Sequence, residues 1–293
     1  IWPMIFQLIG AITNIILDPI MIFGLLGFPA MGVAGAAIAT VTGQITAMVV
    51  ASLVITFRDH DIHISFRNFR PNPKIIKDIY IVGVPSIVMQ SIGTVMTMAL
   101  NGILSSFSTA AYTVFGLYFK LQSFVFMPVF GLNQGLLPIL GYNYGARNKR
   151  RMMSAFRSGC AIALTIMAVG MVVFLAVPQV LLGIFNASDE LLEIGIPALR
   201  IICTCFLFAA LGIVASTMFQ AVGRGVYSLV VSLMRQLVVL VPVAWILAKV
   251  TQQVFFVWWS FPIAECVSLV VSLVFFLRLY NREIKHLDTV KQR

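Results

Sequence analysis

The sequence predicts an all-α, polytopic integral membrane protein, and three observations carry that prediction. Of the 293 residues, 60% are apolar and only 10% are charged, against roughly 25% charged residues in soluble domains. Apolar runs of about 20 residues, the length that crosses a bilayer as a helix, recur from one end of the chain to the other. The basic residues gather in alternate loops between those runs, as cytoplasmic loops do. With a mean hydropathy of +1.00, the chain carries more apolar surface than a soluble core can hide. Lipid is therefore the main solvent, and in lipid a helix satisfies its own backbone groups.

Charged or turn-like breaks divide the chain into about eight spans by that length rule. The first runs from Trp2 to Leu26 and the second from Met31 to Phe57. Small residues recur along the second at Gly32, Gly35, Ala36, Ala39, Thr40 and Gly43, a helical spacing that lets another helix approach closely. The one substantial hydrophilic stretch, 58–78, carries Pro71 and Pro73 and is the natural lobe boundary. The third and fourth spans run from Ile79 to Leu104 and from Thr109 to Tyr142. In the second half of the fourth, Pro128, Gly131, Gly135 and Pro138 fall with Asn133 and Gln134 between them, so this helix is expected to bend or break beside protein or a wet cavity. Met152 to Pro178, Ile194 to Val222, Val226 to Ala248 and Val254 to Leu279 complete the set. Their short connections make successive helices antiparallel neighbours.

The net charge of +10 does not point to nucleic acid, because of where the charge lies. One group is Arg58, Arg67, Arg70, Lys74 and Lys77; the next is Arg147, Lys149, Arg150, Arg151 and Arg157. Arg224 and a basic tail over 280–293 follow, whereas the loop with Asp189, Glu190 and Glu193 holds no Lys or Arg. All of these loops agree on one topology, with both chain ends cytoplasmic and the acidic loop outside. Cys160, Cys203, Cys205 and Cys266 all fall within spans, so they read as reduced packing thiols and not as a disulfide framework or zinc site. The chain opens on Ile1 inside an apolar run with no basic segment before it, and is expected to be the later part of a longer protein.

Asp18, Lys120, Arg200, Arg235 and Glu265 are ionisable residues inside the spans. Each costs about 2.5–3.5 kcal/mol at mid-bilayer on insertion scales, so each demands a partner or a function. Asp18 follows Asn14 by one helical turn, which puts both on one face, and Pro19 leaves the carbonyl of Ile15 without a donor beside them. That oxygen-rich knot suits a proton or a small hard cation. A bound cation favours the charged carboxylate where burial disfavours it, so ion binding and helix geometry can be linked. Lys120 and Arg235 would either line a cavity or neutralise a buried acid. Arg200 lies close enough to a helix end to snorkel. Glu265, near Pro262, Trp258 and Trp259, is a candidate for a second ion or substrate site.

Asp59, His60, Asp61 and His63 look like a metal cluster but sit in the charged loop, where solvation explains them. No Ser/His/Asp set, Cys/His pair or phosphate-binding glycine loop is present, which argues against a membrane-embedded enzyme and against direct ATP drive. Energy would come from an ion gradient, worth about 2.3 kcal/mol per charge per 100 mV.

Several runs resemble the multidrug and toxic compound extrusion (MATE) family. Asn14-Ile-Ile-Leu-Asp18-Pro19-Ile-Met-Ile-Phe-Gly24, followed by Gly32-Val-Ala-Gly35-Ala-Ala-Ile-Ala-Thr40, resembles its fifth and sixth helices. Gly131-Leu-Asn-Gln134-Gly135-Leu-Leu-Pro138-Ile-Leu-Gly141-Tyr-Asn143-Tyr-Gly145-Ala is similar to the end of its eighth. Phe219-Gln220-Ala-Val-Gly223-Arg, and Arg235-Gln236 with Pro242, are similar to its tenth and eleventh. The resemblance covers the whole chain. It implies a MATE-like helix bundle of twelve helices in two six-helix lobes, of which about eight are present here. Residues 1–57 would be the last two helices of the N-terminal lobe, 58–78 a cytoplasmic linker, 79–279 the C-terminal lobe and 280–293 a cytoplasmic tail.

The resemblance also implies that Asn14 and Asp18 belong to the cation site of the first lobe, with Thr40 joining their network. The family's partner Asp on its first helix lies outside this chain. Where some members carry an acid in the second lobe, this sequence has Gln90 and Gly93. The function implied is a cation-coupled antiporter of the cell (plasma) membrane. It would export amphipathic, often cationic compounds in exchange for Na+ or H+, acting as a monomer without a cofactor, by lobes that rock about a cleft. Candidate cavity residues are Gln90, Lys120, Asn133, Gln134, Arg235 and Glu265. The alternatives are a flippase for a lipid-linked sugar, whose cleft would use Lys120 and Arg235, and an inactive chain that needs the missing N-terminal helices.

Overall fold

The computed structural model of the protein describes residues 2–57 and 72–289, and every regular element among them is helical. Two compact units form, 1–73 and 74–293. The basic residues Arg58, Arg67 and Arg70, the Asp59–His63 cluster, most of the stretch read as a linker, and the end of the basic tail lie outside the described residues.

The first unit is a helical hairpin of α1 (Trp2–Phe23) and α2 (Val33–Phe57). Gly24 ends α1 at φ +73°, where a Cβ would sit 2.6 Å from the Ala30 nitrogen and 2.9 Å from the Phe28 oxygen. Only glycine fits that reversal. Beyond it, the amides of Leu25, Met31 and Gly32 donate to the carbonyls of Ile20, Met21 and Ile22 at 3.0, 3.0 and 3.2 Å, which satisfies acceptors that a helix end otherwise leaves open. The small residues of α2 act as their spacing predicts: Gly35, Ala39 and Gly43 are buried against α1. The fit is backbone on backbone, since a Cβ on Gly35 would run into the Met21 carbonyl and one on Gly43 would lie 2.7 Å from the Gly10 oxygen. Outside that seam, large apolar side chains such as Ile15 and Phe23, 68% and 70% exposed, present the surface expected of a helix in lipid.

The second unit starts with α3 (Pro73–Ser105). It begins before the predicted Ile79, with Pro73 at a helix-starting position and Lys74 and Lys77 in its opening turns. Then come α4 (Thr109–Gly145), α5 (Lys149–Ala176), the short α6 (Pro178–Gly183), α7 (Asp189–Cys203) and α8 (Phe206–Ala221). α9 (Gly225–Leu233) passes through a π-helical segment, Met234–Leu240, into α10 (Val241–Thr251); α11 (Val254–Val257) and α12 (Ser260–Arg282) complete the unit, with a 3₁₀ turn over Ile284–Thr289. Phe115, Tyr118, Phe174, Phe206, Phe219 and Trp258 are fully buried at its centre. α5 lies against α4 through Gly159 and Gly170, where a Cβ would strike Leu136 and Val125 respectively.

Seven described helices, or eight if one bent pair counts as a single span, are long and apolar enough to cross a membrane. The chain is thus a multi-pass membrane protein, and the bent pair is where expectation and structure part. α1 and α4 continue through Pro19, Pro128 and Pro138 without interruption, because one lost hydrogen bond leaves the turns on either side intact. The break falls instead between α7 and α8, which meet at 49°. There the amides of Thr204 and Cys205 turn to carbonyls three residues back, Ile201 and Ile202. The side chains of Cys203, Thr204 and Cys205 donate to Arg200, Ile201 and Ile202 carbonyls at 3.2, 2.7 and 2.9 Å. These thiols, free as expected, therefore also cap a broken helix inside the membrane. The second irregularity is the π segment ahead of Pro242. A proline cannot give its N–H to the preceding turn and its ring crowds that turn, and a widened turn relieves both.

Candidate functional site

In the first unit, the close seam between α1 and α2 builds a polar cluster. Asn14 Nδ2 donates to Asp18 Oδ1 at 3.2 Å and to Thr40 Oγ1 at 3.4 Å, while the Thr40 hydroxyl donates to the Ala36 carbonyl at 2.9 Å. Asn14 and Asp18 are half-buried and Thr40 is exposed. The contact across the helices is possible because Gly43, one turn beyond Thr40, lets the backbones touch. Among the described residues no cationic side chain pairs with Asp18. The carboxylate and the Asn14 and Thr40 side-chain oxygens thus form a compact, hard-oxygen donor set carrying one negative charge, the chemistry that suits a small cation or a proton.

The second unit holds a cavity of about 750 Å³ between α3, α4, α8, α9, the π segment and α12, within the range of small-molecule sites, about 300–1,000 Å³. Gln90, Asn133, Gln134 and Arg235, four of the residues expected to line a cavity, all line this one. Asn133 Oδ1 is buried without a hydrogen-bond partner among the described residues. Sequence reasoning missed Gln220, Gln236 and the hydroxyls of Ser216, Thr217, Ser228, Ser232 and Ser268, which share the lining. Two glutamines in apolar spans were a readable signal. The hydroxyls were not, because most membrane serines and threonines bond their own helix, as Thr217 does to the Ile213 carbonyl at 3.1 Å.

A smaller cavity of about 180 Å³ adjoins through shared residues Phe130, Ile213, Arg235 and Gln236, and is walled by Tyr118, Phe119, Phe126 and Phe261. Glu265 lines it, bound to Arg235 Nη1 at 3.1 Å. Arg235 therefore does both things the sequence allowed, lining a cavity and neutralising an acid. Lys120 does neither: it is exposed, 5.8 Å above the Phe185 ring, and outside both linings. Its place within the span does not distinguish it from the residues that do line a cavity. Arg200 lies exposed in the last turn of α7, just before the break.

At one end of this unit Glu283 ties three segments together. Arg224 donates to its Oε1 through Nε at 2.9 Å and Nη2 at 2.6 Å, and Tyr144 donates to its Oε2 at 3.0 Å. The hydrogen bond and the charge of Glu283 hold the Arg224 pKa above its ordinary value. Among the described residues no group of three or more His, Cys, Asp or Glu side chains is placed to hold a metal ion.

Apolar helices around a polar cavity of small-molecule size, with a second polar cluster on a separate helical hairpin, define a polytopic helical membrane protein. A family model described as MatE matches residues 85–246. The chain belongs to the MATE family. It is 27% identical, over 94% of its length and 60% of the relative's, to the multidrug export protein MepA of Staphylococcus aureus (strain bovine RF122 / ET3-1). It superposes with a TM-score of 0.85 at 27% identity on the outward-facing conformation of a multidrug resistance MATE family transporter, covering 98% of this chain and 63% of that one. The same score and identity, over 97% and 63%, relate it to a MOP superfamily transporter from Pyrococcus furiosus whose binding pocket is of reverse polarity. The chain spans about 60% of the length of the curated relative it matches.

Proposed function

We propose that the protein is a cation-coupled antiporter that exports drugs and other amphipathic organic compounds, often cationic, in exchange for Na+ or H+ by alternating access. The observation that carries this reading is the cluster in which Asn14 joins Asp18 to Thr40 across two helices, with no cationic side chain on the carboxylate among the described residues. A cation entering there would bind Asp18 and the neighbouring oxygens, displace the Asn14 amide from the carboxylate and bias the balance between outward-open and inward-open states. The large cavity of the second unit is the substrate chamber, with Gln90, Asn133, Gln134 and Arg235 on its wall. Residues 58–78 act as the lobe linker, both chain ends face the cytoplasm of the plasma membrane, and the transporter works as a monomer.

The name of the Staphylococcus relative, a multidrug export protein, supports export as the direction of transport. The flippase reading has less support, since of its two cationic residues Lys120 lines neither cavity and Arg235 is paired with Glu265. The test is dye uptake into everted membrane vesicles carrying the protein, driven by a Na+ or pH gradient. Asp18→Asn is expected to abolish gradient-driven uptake at unchanged protein level; undiminished uptake refutes the assignment.

A further inference from the structure

The smaller cavity of the second unit is built differently from the large one beside it. Tyr118, Phe119, Phe126 and Phe130 of α4 and Phe261 of α12 put five aromatic rings on its wall. The rings brace one another, Tyr118 against Phe261 at 5.9 Å and Phe126 against Phe130 at 6.3 Å between centroids. Glu265 follows Phe261 by one helical turn and so shares its face of α12. Among the described residues it is the one carboxylate in either cavity lining. At about 180 Å³ this aromatic box is smaller than the sites that take whole drug-sized ligands, about 300–1,000 Å³. It has room for a charged head and not for the body attached to it.

Aromatic walls with a single acid are the chemistry that holds an organic cation, the ring faces attracting the charge and the carboxylate neutralising it. Here the acid already holds a cation, Arg235. The pair is joined by one hydrogen bond, from Arg235 Nη1 to Glu265 Oε1 at 3.1 Å, where guanidinium and carboxylate frequently join through two. Arg235 stands in the π-helical segment, a rare turn that occurs often at functional sites, and it belongs to both linings. In the lining of the large cavity, Asn133 Oδ1 is a buried acceptor with no partner among the described residues.

We propose that Arg235 is a tethered competitor for cationic cargo: it occupies Glu265 until a charged head enters the aromatic box and displaces it, while the body of the cargo lies in the large cavity. The proposal rests on the reading of the large cavity as the substrate chamber, and deepens it by naming where the charge of the cargo goes. The displaced guanidinium turns toward the large cavity, where Asn133 Oδ1 accepts one of its N–H groups, so neither the arginine nor the acid is left without a partner. A quaternary ammonium head brings no N–H donor, whereas a primary ammonium brings three. One carboxylate among aromatic rings leaves some of those three unpaired, at a cost for each. A neutral head of the same shape has no charge with which to displace Arg235.

The test is equilibrium binding to the full chain in lipid nanodiscs of three fluorescent ligands that share a dansyl body. One carries a trimethylammonium head, one has carbon in place of the charged nitrogen, and one carries a primary ammonium. The wild-type chain is expected to bind the trimethylammonium ligand most tightly. A competitor in place about nine-tenths of the time lowers an apparent affinity about tenfold. Arg235→Gln is therefore expected to tighten the trimethylammonium ligand about tenfold and to leave the carbon isostere unchanged, a gain that a misfolded variant cannot produce. Arg235→Lys, which keeps the charge, should not show the gain, and adding Glu265→Gln to Arg235→Gln should abolish it. Trimethylammonium binding to Arg235→Gln no tighter than to the wild-type chain, or an equal gain for the isostere, overturns the proposal. If that gain is absent while Asn133→Leu and Gln134→Leu weaken all three ligands alike, the competitor is refuted and the chamber reading stands. If no substitution moves any ligand, the chamber reading fails with it.

Discussion

Replacing Gly43 by alanine should loosen the proposed cation site without altering a polar atom. A methyl group there would lie 2.7 Å from the Gly10 carbonyl oxygen and 3.3 Å from Asn14 Cβ. Carbon–oxygen contacts settle at about 3.3–3.6 Å, so α1 and α2 must part by about 0.6 Å at this point. The Asn14 to Thr40 distance, already 3.4 Å, then leaves hydrogen-bonding range. Overpacking of this kind costs about 1–3 kcal/mol of stability. Loss of one ordered oxygen from the donor set costs a further ~1 kcal/mol of cation binding, about fivefold in affinity. The assay is dye export in everted vesicles as a function of driving-cation concentration. Gly43→Ala should raise the half-saturating concentration about fivefold, while Gly102→Ala, whose methyl would meet nothing within 4 Å, should leave it alone. A Gly43→Ala protein present at the wild-type level with an unshifted cation dependence refutes the chain of reasoning from helix approach to ion affinity.

Glu265→Gln and Arg235→Gln should each lower the thermal stability of the purified protein by about 3 kcal/mol, the low end for breaking a desolvated ion pair, because these side chains are still 15% and 26% exposed. The double variant should recover most of that loss in the same melting experiment. Gly170→Ala, whose methyl runs into Val125, should cost about 1–3 kcal/mol, whereas Gly116→Ala in the same helical setting, with open space around it, should be neutral or slightly stabilising. Glu283→Gln should speed amide hydrogen exchange over 284–289 by releasing Arg224 and Tyr144. Because Glu283 raises the folded-state pKa of Arg224, the guanidinium's contribution is complete below its ordinary pKa and is lost only as pH rises through the raised value. On the Arg224 side the contact should therefore respond near neutrality to salt and not to pH.

What the sequence made legible is what repeats or what stands out against lipid. Span lengths followed from apolar runs, and the α1–α2 seam followed from the spacing of Gly35, Ala39 and Gly43, because close helix approach has few other solutions in a membrane. Asn14 and Asp18 were readable as a pair from one turn of spacing. Thr40 came from resemblance, since nothing in its own neighbourhood distinguishes it from Thr42 or Thr46, which bond their own helix. The helix break lies away from the prolines of α1 and α4 for a physical reason: proline marks a lost hydrogen bond, but where the chain breaks depends on what replaces it. Pro128 and Pro138 are absorbed by a long helix, while the Cys203-Thr204-Cys205 side chains supply substitute donors and let the chain break. Lys120 and Arg235 looked alike as charges in spans. Which of the two faces the cavity depends on helix rotation, and only packing fixes that.

The most direct measurement is cation binding to the purified protein by titration calorimetry, with Na+ at constant pH and with protons at constant ionic strength. The wild-type chain should bind one coupling cation that Asp18→Asn does not bind. An Asp18→Asn protein that retains the same binding stoichiometry and affinity would contradict the account.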